Sequence, residues 1–294
     1  MRHHGDLREP LRKTTAVTGA NGSLRAMATS YVDDLRLAHY LAAQVDNYTS
    51  AQFRAHDFSV ETKPDFTLVT EADRTAEKII REQLRRVRPG DSIVGEEFGT
   101  TGTSARQWII DPIDGTNNFV RGVPVWATLI GLAIEGEMVV GVVSAPELQR
   151  RWWAAKGHGA FTGRSMSQAR QIHVSDVGTL SDASLSYSSL HGWAEQGRLR
   201  SFLTLSESCW RTRAYGDFWS YMLVAEGAVD IACEPELALY DMAALVPIVT
   251  EAGGTFTSLD GEPGPFGGNA VATNGRLHEE VRTLLANASD PHTS

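Results

Sequence analysis

Trp108-Ile109-Ile110-Asp111-Pro112-Ile113-Asp114-Gly115-Thr116-Asn117-Asn118-Phe119 is an apolar run that ends in two carboxylates, a proline and a glycine. Trp108, Ile109 and Ile110 have the aromatic and β-branched character of a core strand, and Pro112, lacking an N–H, cannot extend its ladder. The strand is therefore expected to stop at Asp111. Pro112 and Gly115 then bend the chain, so that Asp111 and Asp114 converge on one point instead of alternating across a sheet. Two close carboxylates repel unless a cation lies between them. Oxygen ligands without Cys or His favour Mg²⁺, Mn²⁺ or Ca²⁺ over zinc. The competing reading is an acidic surface turn, since Asp, Pro and Gly are ordinary turn residues.

The context favours the first reading. A second acidic pair, Glu96-Glu97, follows another apolar run, Ser92 to Gly95. The chain has 294 residues, 42% hydrophobic, enough for a large core as one big domain or two closely joined lobes. Its formal net charge of −9 and the lack of a Lys/Arg-rich run argue against a nucleic-acid partner. No stretch approaches the roughly 18 consecutive apolar residues of a membrane span, and the N-terminus lacks a signal-peptide core. Cys209 and Cys233 lie far apart without ligand spacing. They read as buried free thiols, and the protein as soluble and cytoplasmic.

Residues 1–26 are expected to form a flexible extension; its His3-His4 pair reads as unstructured. The remainder, 27–294, is expected to be a single domain with an N-terminal α+β lobe (27–165) carrying most of the acids and a C-terminal α/β lobe (166–294). Leu35, Ala38, Ala42, Val45 and Tyr48 recur at helical spacing between Tyr31 and Phe53. A second helix begins after Thr70, where Asp73, three residues on, completes a capping-box pattern, and Pro89-Gly90 ends it. Ala127–Ile134 and Met138–Ala145 read as a hairpin, and Arg151–Ala155 as a further strand with Trp152 and Trp153 facing opposite sides. Beyond Ser165, strands alternate with helices over 195–207, 217–226, 241–252 and 277–285. Asp241 opens one of these helices, which makes it an N-cap candidate as well as a ligand.

Gly95-Glu96-Glu97, the hexapeptide Asp111 to Thr116, Tyr240-Asp241-Met242-Ala243-Ala244 and Glu251-Ala252-Gly253-Gly254 occur in one order along the chain. Together they resemble the inositol monophosphatase family of metal-dependent sugar-phosphate phosphatases, over roughly Leu35 to Leu285. Val120 to Thr128 and Arg150 to Ala154 look most like its bacterial histidinol-phosphate phosphatase branch. The resemblance implies an α/β, five-layer αβαβα sandwich, a homodimer and a small phosphorylated substrate. It implies two or three Mg²⁺ held by Glu96, Asp111, the carbonyl of Ile113, Asp114 and Asp241. Asp73 and Thr116 would orient the attacking water, Glu96 would take part in catalysis, and Gly115 and Thr116 would offer backbone N–H groups to the phosphate. Lys63 corresponds, with its spacing one residue off, to a lysine near the metals.

Glu234, seven residues before Asp241, matches a family glutamate that faces the substrate's far end; its plainer reading is a strand-ending turn residue before Pro235. Trp126 and Trp219 are candidate walls for an imidazole. Tyr240 stands where the family usually has Trp. The reaction implied is hydrolysis of L-histidinol phosphate. The alternatives are an inositol-1-phosphate or broader sugar-phosphate phosphatase, and a divalent-metal-binding module without turnover.

Overall fold

The computed structural model describes residues 20–55, 58–63 and 68–286, with side chains from Tyr31 onward. Residues 1–19, including the His3-His4 pair, lie outside the described residues. Helix α1 (Ala20–Ala55) begins inside the stretch expected to be an extension and carries through the predicted periodic segment. Its Leu35, Ala38, Leu41, Ala42 and Val45 are buried. The short ribbon β1 (Val60–Thr62) and β2 (Leu68–Thr70) leads into α2 (Glu71–Val87).

An eight-stranded sheet follows. Its members are β3 (Ser92–Gly95), β4 (Gly99–Thr101), β5 (Arg106–Asp114), then, after helix α3 (Thr116–Arg121), β6 (Ala127–Ile134), β7 (Glu137–Ala145), β8 (Arg150–Ala155), β9 (Ala160–Gly163) and β10 (Arg170–Ile172). They lie in the order β10-β9-β8-β7-β6-β5-β3-β4, with only the β3–β5 pair parallel. The remaining chain alternates: β11 (Ser184–Ser186), α4 (Leu190–Glu195), α5 (Leu199–Ser208), β12 (Arg211–Arg213), α6 (Asp217–Ala225), β13 (Ile231–Glu234), α7 (Leu239–Ala243), α8 (Leu245–Glu251), β14 (Thr255–Thr257), β15 (Ala270–Thr273) and α9 (His278–Ala286). Its five strands lie in the order β12-β11-β13-β15-β14.

Helices α1 and α2 cover one face of the large sheet; α6, α7 and α8 fill the space between the sheets; α5 and α9 cover the outer face of the small one. This is the expected αβαβα layering. Trp152 and Trp153, on opposite faces of β8, are both buried, one in the inter-sheet core and the other under α1 and α2.

Two expectations about the key segments are corrected. First, β5 does not end at Asp111. Its pairing with β6 breaks after Asp111↔Leu129 and resumes at Asp114↔Ala127, a bulge that holds Pro112 and Ile113. Pro112 cannot donate to the ladder, but its carbonyl accepts the Thr128 hydroxyl at 2.8 Å, and the strand survives the interruption. Second, the helix expected over 241–252 is two helices. Pro247 has no N–H for the Ala243 carbonyl, and the chain breaks at Ala244 between α7 and α8. Asp241 is thus a first-turn residue of α7, not its N-cap.

Helix α7 is lowered onto the sheet by two glycines paired across β6 and β7, Gly131 and Gly141. A Cβ at Gly141 would fall 2.1 Å from the Ala244 carbonyl oxygen, and one at Gly131 3.0 Å from Ala243. Such contact brings Asp241 to the strand end that carries Asp111.

Candidate active site

Each of the three convergent aspartates is aimed by one backbone N–H. Ile113 donates to Asp111 Oδ1 at 3.0 Å across the bulge, Phe218 at the start of α6 donates to Asp114 Oδ2 at 2.8 Å, and Ala238 donates to Asp241 Oδ2 at 2.8 Å. Carboxylate oxygens of Asp111, Asp114 and Asp241 lie within 4.8 Å of one another. Burial, then the charges of Glu96, Asp114 and Asp241, raises the Asp111 carboxyl far above its ordinary range. Burial, then Asp217, does the same to Asp114, and burial pushes Asp241 up to about 7. Among the described residues no Lys, Arg or His pairs with these three. A buried carboxylate cluster without a counter-charge is costly, and a hard divalent cation is the partner that such oxygens suit. The donor set therefore fits a metal.

Glu96 lines the same cleft, but its Oε1 is held by Lys63 Nζ at 2.7 Å; the same ammonium holds Glu97 Oε1 at 2.6 Å. Lys63 thus ties the two glutamates together and does not line the cleft. Below them, Glu77 of α2 accepts the Glu97 and Phe98 N–H groups and pairs with Arg81 at 2.6 Å. Gly95 is required here, since a Cβ would sit 2.0 Å from Glu77 Oε1.

Asp73 closes the capping box with one oxygen and reaches Thr116 with the other. Its Oδ2 accepts the Thr70 N–H at 2.8 Å and the Thr70 hydroxyl at 2.6 Å, closing the capping box, while Oδ1 faces the Thr116 hydroxyl at 3.3 Å. That hydroxyl also reaches the Ile113 carbonyl at 2.9 Å, and its one hydrogen serves a single acceptor at a time. Burial pushes Asp73 up to about 6, against its bonds from Thr70. Gly115, between Asp114 and Thr116, is left-handed with φ 82°.

The cleft measures about 400 Å³ and continues from the aspartates to Ser188, Asp217, Tyr221, Glu234 and Glu236. Glu234 closes β13, and its Oε1 accepts the Ser188 hydroxyl at 2.6 Å. Burial raises Glu234 to about 8. Trp126 does not reach this space: it is fully buried, 5.0 Å edge-on from Phe119 and 5.6 Å from Phe53. Trp219 stacks edge-on with Tyr215 at 5.5 Å and packs on the inter-sheet core. Neither expected tryptophan wall lines the cleft: Trp126, directly before β6 under the α3 turn, is a core residue, and Trp219, two residues beyond the α6 residue that faces the cleft, is half-buried against the inter-sheet core.

Glu77, Asp217 and Tyr221 were not singled out from the sequence. Gly216-Asp217 before an apolar helix reads as an ordinary helix start, and the one local signal, a glycine allowing positive φ, is common to many turns.

The family model for the inositol monophosphatase family matches residues 31–293. A histidinol-phosphatase of Streptomyces coelicolor is 66% identical over 259 residues, covering 87% of this chain and 97% of that protein. One from Mycobacterium tuberculosis is 58% identical over 254 residues, covering 86% and 98%. An IMPase of Thermotoga maritima superposes with a TM-score of 0.77 at 32% identity, covering 86% of this chain and 96% of that one. With the sandwich, the aspartate cluster and the Asp73–Thr116 contact at one end of a single cleft, this chain belongs to the inositol monophosphatase family.

Proposed function

We propose that the protein is a Mg²⁺-dependent phosphomonoesterase that hydrolyses L-histidinol phosphate to L-histidinol and phosphate. The relatives named histidinol-phosphatase support the substrate, and one observation on this chain carries it. Among the described residues that line the cleft there are many carboxylates and no Lys, Arg or His. Asp111, Asp114 and Asp241, with Glu96 and the Ile113 carbonyl, are the residues that would hold Mg²⁺. Asp217, Glu234 and Glu236 remain over at the other end, and a leaving group of positive charge suits them. L-Histidinol phosphate carries an ammonium and an imidazole; inositol phosphate offers neutral hydroxyls. Glu234 receives part of that charge through a charge-assisted hydrogen bond.

Bound Mg²⁺ supplies charge to polarise the phosphoryl group and acidify a water. Around it, the chain's own groups orient the reactants. The N–H groups of Gly115 and Thr116 point donors at the phosphate. The Thr116 hydroxyl and Asp73 Oδ1 form a pair that holds the attacking water and takes its proton. Water adds to phosphorus as the ester P–O bond breaks, and the leaving oxygen takes a proton from solvent to depart as the alcohol.

A comparison of kcat/KM on L-histidinol phosphate, inositol 1-phosphate and fructose 1,6-bisphosphate, with and without EDTA, tests the proposal. L-Histidinol phosphate should lead by orders of magnitude and EDTA should abolish turnover; comparable values on all three esters would sink the substrate. Glu234→Gln should lower kcat/KM on L-histidinol phosphate by roughly 10- to 100-fold while sparing glycerol 2-phosphate. Equal losses on both esters would remove Glu234 from recognition.

A further inference from the structure

Where β5 bulges, two residues, Pro112 and Ile113, stand opposite one, Thr128 of β6. The Thr128 hydroxyl donates to the Pro112 carbonyl at 2.8 Å. That carbonyl and the N–H of Ile113 belong to one planar peptide unit, and the Ile113 N–H is the donor that aims Asp111 Oδ1 at 3.0 Å. A single chain of hydrogen bonds therefore runs from the Thr128 hydroxyl through a rigid peptide to a carboxylate of the aspartate cluster. Each bond in such a chain polarises the next.

Thr128 differs from its surroundings. Ile130 and Leu132, further along the same face of β6, and Val140 and Val142 on β7 belong to the apolar core under α1 and α2. Thr128 itself is completely buried, at a position where valine would have the same branched shape and no polar atom to satisfy. Its neighbour in the same row supplies a contrast. Ser144 of β7, paired with Thr128 across the sheet, is equally buried, but its hydroxyl donates to Asp46 of α1 at 2.9 Å and accepts from Arg151 Nε of β8 at 2.8 Å. Ser144 ties the sheet to a helix, whereas Thr128 ties it to the bulge.

We infer that Thr128 is a positioning residue of the metal site: by holding the peptide between Pro112 and Ile113 in one orientation, it keeps Asp111 turned toward Asp114 and Asp241. This rests on the reading of those aspartates as Mg²⁺ ligands, and it adds what keeps them in register before the cation arrives. Without the hydroxyl, the buried Pro112 carbonyl loses its donor. The peptide then turns toward another partner and takes the Ile113 N–H away from Asp111. The Ile113 side chain, packed with Ala72, Phe119 and Trp126, anchors the bulge but does not set the orientation of that peptide.

The test is calorimetric titration of the whole chain with Mg²⁺ alone, beside denaturant unfolding without metal and the Mg²⁺ dependence of turnover. Thr128→Val keeps the shape and removes the donor; its Kd for Mg²⁺ should rise roughly 10-fold. The Mg²⁺ concentration for half-maximal turnover should rise with it, while kcat at saturating Mg²⁺ stays within about threefold of wild type. Thr128→Ser, which restores a hydroxyl, should bring the Kd back to within about twofold. Ser144→Ala should lower the unfolding midpoint and leave the Mg²⁺ Kd unchanged. A valine variant that loses stability but binds Mg²⁺ like wild type, a serine variant no better than the valine one, or a Ser144→Ala variant equally weakened for Mg²⁺ would each reduce Thr128 to a packing contact and overturn the inference. Should the valine variant not fold, Thr128→Cys, with its weak S–H donor, takes its place; its Kd should rise by a smaller factor, and an unchanged Kd overturns the inference. A wild type that takes up no Mg²⁺ overturns the metal reading and this one together, and is recognised without any variant.

Discussion

Two groups of buried acids lie close together in this molecule and are treated in opposite ways. Glu77 is completely buried, yet it has an Arg81 guanidinium at 2.6 Å and two backbone N–H donors. Asp111, Asp114 and Asp241 are aimed by single backbone N–H groups and have one another's charge for company. The first group is a finished ion pair that shapes the Gly95-Glu96-Glu97 turn. The second leaves its negative charge unmatched and waits for a cation from outside. Burial alone therefore does not separate structural from functional acids; what separates them is whether the chain supplies the counter-charge.

The most severe break in that contrast is Asp114→Asn, which removes a charged ligand while keeping the shape. Turnover should fall roughly a thousandfold or more, as expected when several kcal/mol of transition-state charge stabilisation is lost. The metal-free variant should melt no lower than the wild type, because one repelling charge has gone. Full turnover at limiting Mg²⁺ would refute the assignment. Glu77→Gln should do the reverse to stability: it strands the Arg81 charge and should cost about 3–5 kcal/mol in denaturant unfolding, with or without Mg²⁺. An undiminished midpoint would erase the distinction between the two groups.

Asp73 stands between them, hydrogen-bonded by Thr70 yet without a cation. If it works with Thr116 as one unit, Asp73→Asn and Thr116→Ala should each lower kcat about 100-fold or more, and the double variant should fall little further than the worse single one. Losses that multiply would mean independent roles.

The smallest effect is on pH dependence. Asp241 holds its proton up to about 7 and Glu234 up to about 8 in the folded metal-free protein, above the ordinary 3.8 and 4.5. Between pH 6.5 and 8.5 the unfolded chain has already lost these protons while the folded chain is still releasing them. Stability should therefore decrease as pH rises, by roughly 2–3 kcal/mol for the two groups together over this window. His39 and His278, held neutral by burial down to about 4, act in the opposite direction only below pH 6.5. Added Mg²⁺ should restore stability most at pH 8.5 and least at 6.5; a metal effect independent of pH would show that the cation binds elsewhere.

Much of the site is legible along the chain because its acids sit where apolar strands end. Asp111 and Asp114 follow Trp108-Ile109-Ile110, Glu96 follows Ile93-Val94, and Glu234 follows Ile231-Ala232-Cys233; all four line one cleft. The Thr70–Asp73 capping box was equally local, and it is present. Alternation of strand and helix, together with hydrophobic spacing, was enough to indicate the layers. These signals depend on a few neighbouring residues, and for those backbone chemistry is decisive.

What the linear sequence could not contain was which distant groups meet. Trp126 and Trp219 are aromatic and well placed along the chain, but the side of the bulge and the face of α6 on which they fall turn them away from the cleft, Trp126 into the core and Trp219 onto its edge. Asp217 and Tyr221 looked ordinary, and only the positive-φ turn, pinned by Asn118 and Ser188 from elsewhere in the chain, brings them to the cleft. The sequence by itself determined the chemistry available, which is carboxylates at strand ends. Tertiary structure decided the pairing: Glu77 was given Arg81, and the three aspartates were given only each other. That outcome depends on close approach between separate layers, such as α7 against Gly131 and Gly141, where a single Cβ would force the elements apart.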